Sequence, residues 1–285
     1  MLESTDDLLF ARKDPREPGQ QVARATNQFP TLHSHPMNYS LPTKFSLESL
    51  RLEAVTVCVG FDDLLDLTLP LNHPHLDTMI VVTSHDDRAT QKVAKKHGAI
   101  CVQTDLFTKN GRHFNKGAAI NAGMGRFQYH GWRLHLDSDI ILPDNFRRVL
   151  FNHTHLDMNS IYGADRIDVV GLDQLQQLRD RWQKSPQAAW SFLLNPVHQH
   201  PIGARYVDTL RGYVPIGFFQ LWHASAQKDY PWSLGTAQHD DILFAEQWPR
   251  PNRIHLPTVI TYHLCAQPPV LGENWDGHRS QPRMG

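Results

Sequence analysis

The sequence predicts an α/β fold, a mixed and mostly parallel sheet flanked by helices, and three observations carry that expectation. Short apolar, β-rich runs recur from residue 54 onward; stretches with helical spacing separate them; polar and acidic residues gather where the runs end. Strand and helix alternating at this interval form right-handed βαβ units, which build a parallel sheet.

The elements follow in order. AVTVCVGF (54–61) has the composition of a buried strand, and DLLDLTLPLN reads as a short helix with Pro70 near its end. TMIVVTS (78–84) is a second buried strand. Asp86 or Asp87 can cap a helix from about Arg88 to His97, which Gly98 stops. AICVQTD (99–105) is a third strand, FNKGAAINAGMGRFQ (114–128) a glycine-punctuated loop entering a helix, and WRLHLDSDIIL (132–142) a fourth strand. Beyond it, SIYGADRIDVV (160–170), YVPIGFFQLWH (213–223) and LPTVITYHL (256–264) read as strands. LDQLQQLRDRWQK (172–184) and HDDILFAEQW (239–248) read as helices. This gives an irregular N-terminal arm over 1–50, one domain over 51–265, and a Pro/Gly-rich tail or lid over 266–285.

Composition narrows the class. At roughly 150 residues per domain, 285 residues hold one large domain or two small ones. With 40% hydrophobic and 20% charged residues the chain is not mainly disordered. No apolar run reaches the ~18 residues of a membrane span, and the acidic start MLESTDD is unlike a secretory signal. Lys and Arg total 28 against 29 acids, so a nucleic-acid partner would need a local basic patch. Cys58, Cys101 and Cys265 lack C-x-x-C spacing and read as reduced cysteines of a cytoplasmic protein. Histidine is abundant, with H-x-H pairs at 33/35, 73/75, 153/155 and 198/200. They sit in loop-like text without a binuclear hydrolase pattern, and read as solvated histidines.

Four segments carry candidate chemistry. Asp137 and Asp139 flank Ser138 at a strand end, where two carboxylates on one side of a strand can share a hard divalent cation that binds a diphosphate. Such strand ends are where open α/β sheets bind ligands. Lys116 opens K-G-A-A-I-N-A-G, whose small residues let a helix N-terminus approach an anion; tight packing on the sheet is the plainer explanation. His263, at the end of a strand, can complete a metal shell or be a buried, hydrogen-bonded histidine. Asp240 and Asp241 at a helix start can cap it or supply a general base. In the tail, Trp275 can stack on a sugar and Arg279 can grip a phosphate; Trp275, Trp222 and Trp232 can equally be structural.

The order of these pieces resembles the GT-A glycosyltransferases, Rossmann-like enzymes that use nucleotide sugars. The likeness spans about residues 54–265. It runs from a polar strand end at Thr83, with Asp86 and Asp87 behind it, through K-G-x-x-x-N-x-G (Lys116, Asn121) and D-x-D (Asp137, Asp139). A D-D pair (Asp240, Asp241) and a late histidine (His263) complete it. Three features depart from the family: Val59-Gly60-Phe61-Asp62 replaces its P-x-Y-N text, Thr83 stands where an aspartate contacts the nucleoside, and Gln238-His239 precede the D-D pair. The last leaves the base open between the two aspartates, with the alignment of the helix ILFAEQW favouring Asp241.

The resemblance implies Mn²⁺ or Mg²⁺ on Asp137, Asp139 and His263. It implies a nucleoside-diphosphate sugar, a uridine one, contacted by Thr83, Asp86, Lys116, Asn121, Asp137, Trp275 and Arg279. Asp241 is then the base, Asp240 its companion, and the product inverted at the anomeric carbon. The acceptor is a hydroxyl of a glycan or its lipid-linked precursor. A hydroxymethylated DNA base is an alternative acceptor. A nucleotidyltransferase is an alternative enzyme, though VGFDDLL lacks its glycine-rich loop; a non-catalytic binding module would not need the acidic residues.

Overall fold

The computed structural model describes residues 51–111, 114–152, 156–184, 206–208, 212–231, 237–267, 277–279 and 281–284. All belong to one compact unit, 44–285. The arm over 1–50, Trp232, Trp275 and the H-x-H pairs at 33/35, 153/155 and 198/200 lie outside the described residues.

Chain order is β1 (Leu52–Val57), α1 (Asp62–Asn72), β2 (Thr78–Thr83), α2 (Arg88–Lys96), β3 (Ile100–Gln103), α3 (Lys116–Met124), β4 (Trp132–Leu136) and β5 (Ile140–Ile141). It continues with α4 (Phe146–Asn152), β6 (Ile161–Val170), α5 (Gly171–Lys184), β7 (Tyr206–Asp208), β8 (Gly212–Val214), β9 (Phe219–His223), α6 (Asp240–Ala245) and β10 (Arg253–Cys265). Eight strands form one sheet in the order β3-β2-β1-β4-β9-β6-β10-β5, and β7–β8 make a separate ribbon.

β1, β2, β3 and β4 are parallel; β9 is antiparallel to both β4 and β6; β6 and β10 are parallel; β5 opposes β10. Six of the eight strands therefore run one way, and the ends of β4, β6 and β10 meet on one edge.

Helices cover both faces. β1 is buried along its whole length, as a central strand must be, and its side chains alternate between two cores. Leu52 and Ala54 join the leucines of α1 and α5, while Val55 and Val57 join Ile120 of α3 and Phe244 of α6. Trp222 belongs to the second core, its ring 4.9 Å from Phe244, so it is structural. Gly123 is fixed by packing: a Cβ there would lie 2.5 Å from Val55 and 2.6 Å from Val82.

Three runs depart from expectation. The strand over 132–142 breaks after Leu136 because Ile140 N–H turns back onto the Asp137 carbonyl. Asn72 on α1 then holds the far side, donating to Ile140 O and accepting from Leu142 N–H. The run 213–223 divides into β8 and β9 around Pro215, whose carbonyl accepts from Gln220 Nε2. β10 is longer than 256–264 and shifts register between Leu256 and Ile260, beside Pro257, which has no N–H to give a ladder. Gly98, with φ +73°, ends α2 as expected.

Candidate active site

Asp137, Ser138 and Asp139 form a tight turn between β4 and β5, so the two carboxylates are set by a turn rather than by the alternation of a strand. The turn is pinned from three sides. Thr68 Oγ1 donates to Ser138 O (2.6 Å), Leu264 N–H to Asp139 O (2.8 Å), and Asp137 N–H to Phe218 O (3.3 Å). Local rigidity of this kind presets the geometry of both side chains.

Asp137 Oδ1 is 2.5 Å from Lys116 Nζ, at the first residue of α3. Its Oδ2 makes no hydrogen bond among the described residues. Burial works against the Lys116 charge, but Asp137 beside it holds the ammonium above its ordinary range. Burial lifts the Asp137 pKa in turn, with Lys116 pulling the other way.

Asp139 Oδ2 faces His263 Nε2 at 3.3 Å, and His263 Nδ1 lies 2.8 Å from Asp168 Oδ1. Parallel register sets this last pair, since His263 on β10 lies opposite Asp168 on β6. Burial opposes charge on His263, yet the flanking carboxylates, Asp139 foremost, push its pKa well above the usual value. Burial would raise Asp139 and Asp168, but the same imidazole holds both below it. Lys116, Asp137, Asp139, His263 and Asp168 thus form a mostly buried chain of alternating and paired charges across the ends of three parallel strands.

The donor set fits a divalent cation. A carboxylate on Nδ1 fixes a histidine's tautomer, and a cation bound beside Asp139 would displace the Nε2 proton and take that nitrogen's lone pair. The second oxygen of Asp137 is unspent. Two carboxylates and an imidazole suit Mn²⁺, and Mg²⁺ less well. Asp168, His263 and Cys265 also bring donor atoms within 4.8 Å of one another. In that trio Cys265 Sγ lies nearer to Nδ1 (3.3 Å), the nitrogen already bonded to Asp168, so the Asp139 side is the better ligand face.

Asp241 opens α6. Its Oδ2 accepts from Gly217 N–H (2.5 Å) and its Oδ1 from Ile242 N–H (2.8 Å). Burial raises its pKa to about 6, against the pull of those N–H groups and of Lys116. Its backbone is tied to the sheet: Gln220 Nε2 donates to Asp241 O (2.9 Å), Tyr230 hydroxyl donates to Gln220 Oε1, and His135 Nδ1 lies 2.9 Å from that hydroxyl. His135, fully buried on β4, is held neutral by burial and by the nearby Lys116.

Asp240 does different work. It is 1% exposed, and its Oδ2 accepts from Gly117 N–H (2.9 Å), while Asn115 Oδ1 caps Ala118 N–H. The sequence suggests that the α3 N-terminus awaits an external anion; those two N–H groups instead hold Asp240 and Asn115. Asp240→Ala is expected to lower stability by about 1–3 kcal/mol, because it strands a buried N–H that has a charged acceptor. Urea unfolding checks this, and an unchanged midpoint would contradict it.

The other expected donor contacts are not gathered at this cluster. Thr83 is fully buried and gives its hydroxyl to Asp87 Oδ2 (3.1 Å), the cap of α2. Asp86 is exposed beside it. Asn121 clamps the backbone of Tyr230 with both ends of its amide (2.8 and 2.9 Å). Arg279 bonds both oxygens of Asp63 (2.6 and 2.9 Å) and Gly60 O (3.0 Å), and anchors the described part of the tail to α1. Sequence reasoning missed Asp168, Arg166, His135, Gln220, Tyr230 and Gly217. The signal for the first two was charge inside the apolar run IYGADRIDVV.

No family model matches the chain, and no curated protein matches it in sequence. Among solved structures it is similar to mannosyl-3-phosphoglycerate synthase from Rubrobacter xylanophilus at 14% identity and TM-score 0.44, over 78% of this chain and 68% of that one. It is also similar to glucosyl-3-phosphoglycerate synthase from Mycobacterium tuberculosis in complex with Mn²⁺, uridine diphosphate and glucosyl-3-phosphoglycerate. There the identity is 13% and the TM-score 0.42, over 78% and 73% of the two chains. At such distances these likenesses carry no argument, and the fold and site rest on this chain's own geometry.

Proposed function

We propose that this chain is a metal-dependent glycosyltransferase of the GT-A type, moving a sugar from a nucleoside-diphosphate sugar, a uridine one, to a hydroxyl acceptor with inversion. One observation carries the reading. A half-buried carboxylate with its pKa raised to about 6, Asp241, shares the electrostatic field of Lys116 with the Asp137 end of a ready-made cation site. A base tuned close to working pH is what deprotonation of a hydroxyl requires.

Asp137, Asp139 and His263 would hold Mn²⁺ or Mg²⁺, and Asp168 fixes the histidine. When bound, that cation supplies charge to offset the diphosphate leaving group. Lys116 adds a second positive charge on the same side. Asp241 takes the acceptor proton as the hydroxyl oxygen bonds to the anomeric carbon and the bond to the diphosphate breaks. Gly217 N–H, Ile242 N–H and the Gln220–Tyr230–His135 chain keep that carboxylate in place. Asp240 aligns α3 with α6 and so sets Lys116 against Asp241. The acceptor is a glycan or glycan precursor. The setting in this reading is cytoplasmic; among the described residues no helix is long and apolar enough to cross a membrane.

Uridine diphosphate is expected to raise the unfolding temperature only when Mn²⁺ or Mg²⁺ is present. At 100 times the dissociation constant the gain is about 2.7 kcal/mol. Equal stabilisation in EDTA would reject the metal bridge.

A further inference from the structure

Arg166 lies on β6 two residues before Asp168, so the two side chains leave the same face of the strand. Its guanidinium carbon is 5.1 Å from the centre of the Phe218 ring. Nε stops 3.7 Å from Asp168 Oδ1, beyond hydrogen-bond range, and is buried without a partner. Among the described residues this guanidinium makes no hydrogen bond at all. Arg279, by contrast, spends all three of its nitrogens on protein oxygens.

A mere counter-charge for the acidic cluster would close onto a carboxylate. Arg166 instead rests against an aromatic ring with its side chain 22% exposed, and its charge still reaches Asp137, Asp139 and Asp168. A planar fork of unspent N–H donors, preset by stacking, matches a phosphate or carboxylate. Its position also says which substrate. The ring it rests on, Phe218, directly follows Gly217, whose N–H holds Asp241, and Lys116 is spent on Asp137, so Arg166 is the unspent cation packed on the loop that holds the base.

We infer that Arg166 receives an oxyanion of the acceptor, so that the hydroxyl to be glycosylated belongs to a molecule carrying a phosphate or carboxylate group. This rests on the glycosyltransferase reading and adds the acceptor's chemical class.

The test uses the full chain saturated with uridine diphosphate and Mg²⁺, with inorganic phosphate as the probe. Calorimetry is expected to show saturable phosphate binding that Arg166→Gln weakens at least tenfold and Arg166→Lys weakens less, while affinity for uridine diphosphate with Mg²⁺ stays within twofold. In transfer assays with matched pairs (glycerol and glycerol 3-phosphate, mannose and mannose 6-phosphate, glucose and glucuronate), the anionic member is expected to be preferred, and Arg166→Gln to erase the preference through KM. A fall in affinity for uridine diphosphate in Arg166→Gln would assign the contact to the donor and overturn the inference. Phosphate binding that is absent, or that survives the substitution, would overturn it as well. The glycosyltransferase reading fails by a separate result, the loss of metal-dependent binding of uridine diphosphate to the wild-type protein.

Discussion

His263→Ala is expected to lower metal-dependent affinity for uridine diphosphate by 10²-fold or more and to take transfer below detection, and Asp139→Asn to do the same. Asp139, in the turn after β4, and His263, on β10, face each other at 3.3 Å, so removing either takes away one of the three proposed ligands. His263→Ala also leaves Asp139 and Asp168 without the imidazole between them, and some loss of stability accompanies it. Asp168→Asn separates the two effects. It touches no ligand position, yet loosens the histidine, and about 10–100-fold of metal affinity is expected to go with it. Titration of Mn²⁺ into each folded variant reads the result. Wild-type metal affinity in His263→Ala would remove that residue from the shell.

Asp241→Asn is expected to lower kcat by about 10² or more with donor and metal affinity nearly unchanged, because a base acts on the acceptor proton in the transition state. The pH dependence has a definite sign. As the proposed base Asp241 would work as a carboxylate, and its pKa in the fold is raised to about 6, so kcat/KM should fall tenfold per unit below that pH and level off above it.

Stability runs the other way. The folded pKa lies above the ordinary 3.8, so the fold favours the neutral carboxyl. That contribution is fully present below pH 3.8 and is lost as pH rises through about 6. At pH 8 the ionised group burdens the fold by about 1–3 kcal/mol. Asp241→Asn should therefore unfold at a higher temperature than wild type at pH 8 and show no such gain at pH 4. An active Asp241→Asn enzyme with an unaltered pH profile would mean another base, or retention of configuration, which NMR of the product's anomeric centre decides.

Much of this molecule is legible from the chain alone because its cues are local. β1 and β2 are continuous apolar runs, Asp87 caps α2, and Gly98 ends it. The breaks at Asp137 and Pro215 were not legible. The first depends on a side chain far along the chain, as Asn72 holds Ile140 across 68 residues, and the second on how Gln220 of the same run folds back onto the Pro215 carbonyl. The same division holds in the site. The D-x-D, Lys116, the D-D pair and His263 stand out as polar residues at the ends of apolar runs. Which of the two adjacent aspartates is spent on the α3 N-terminus does not, because helix geometry turns neighbours about 100° apart and only packing decides which is buried. Asp240 points to the α3 backbone and Asp241 to Gly217.

What the sequence by itself determined is the class of fold, the strand ends where chemistry gathers, and the residue types able to hold a cation and take a proton. These follow from periodicity and from the cost of burying charge without purpose. Tertiary structure decided the rest. Strand register placed Asp168 behind His263, and the ring of Phe218 took the Arg166 guanidinium without a hydrogen bond. Long-range capping spent Asp240, Asn121 and Arg279 on the frame. The reason is physical: a side chain's chemistry is local, but its pKa, its partner and its freedom are set by whatever the fold packs against it.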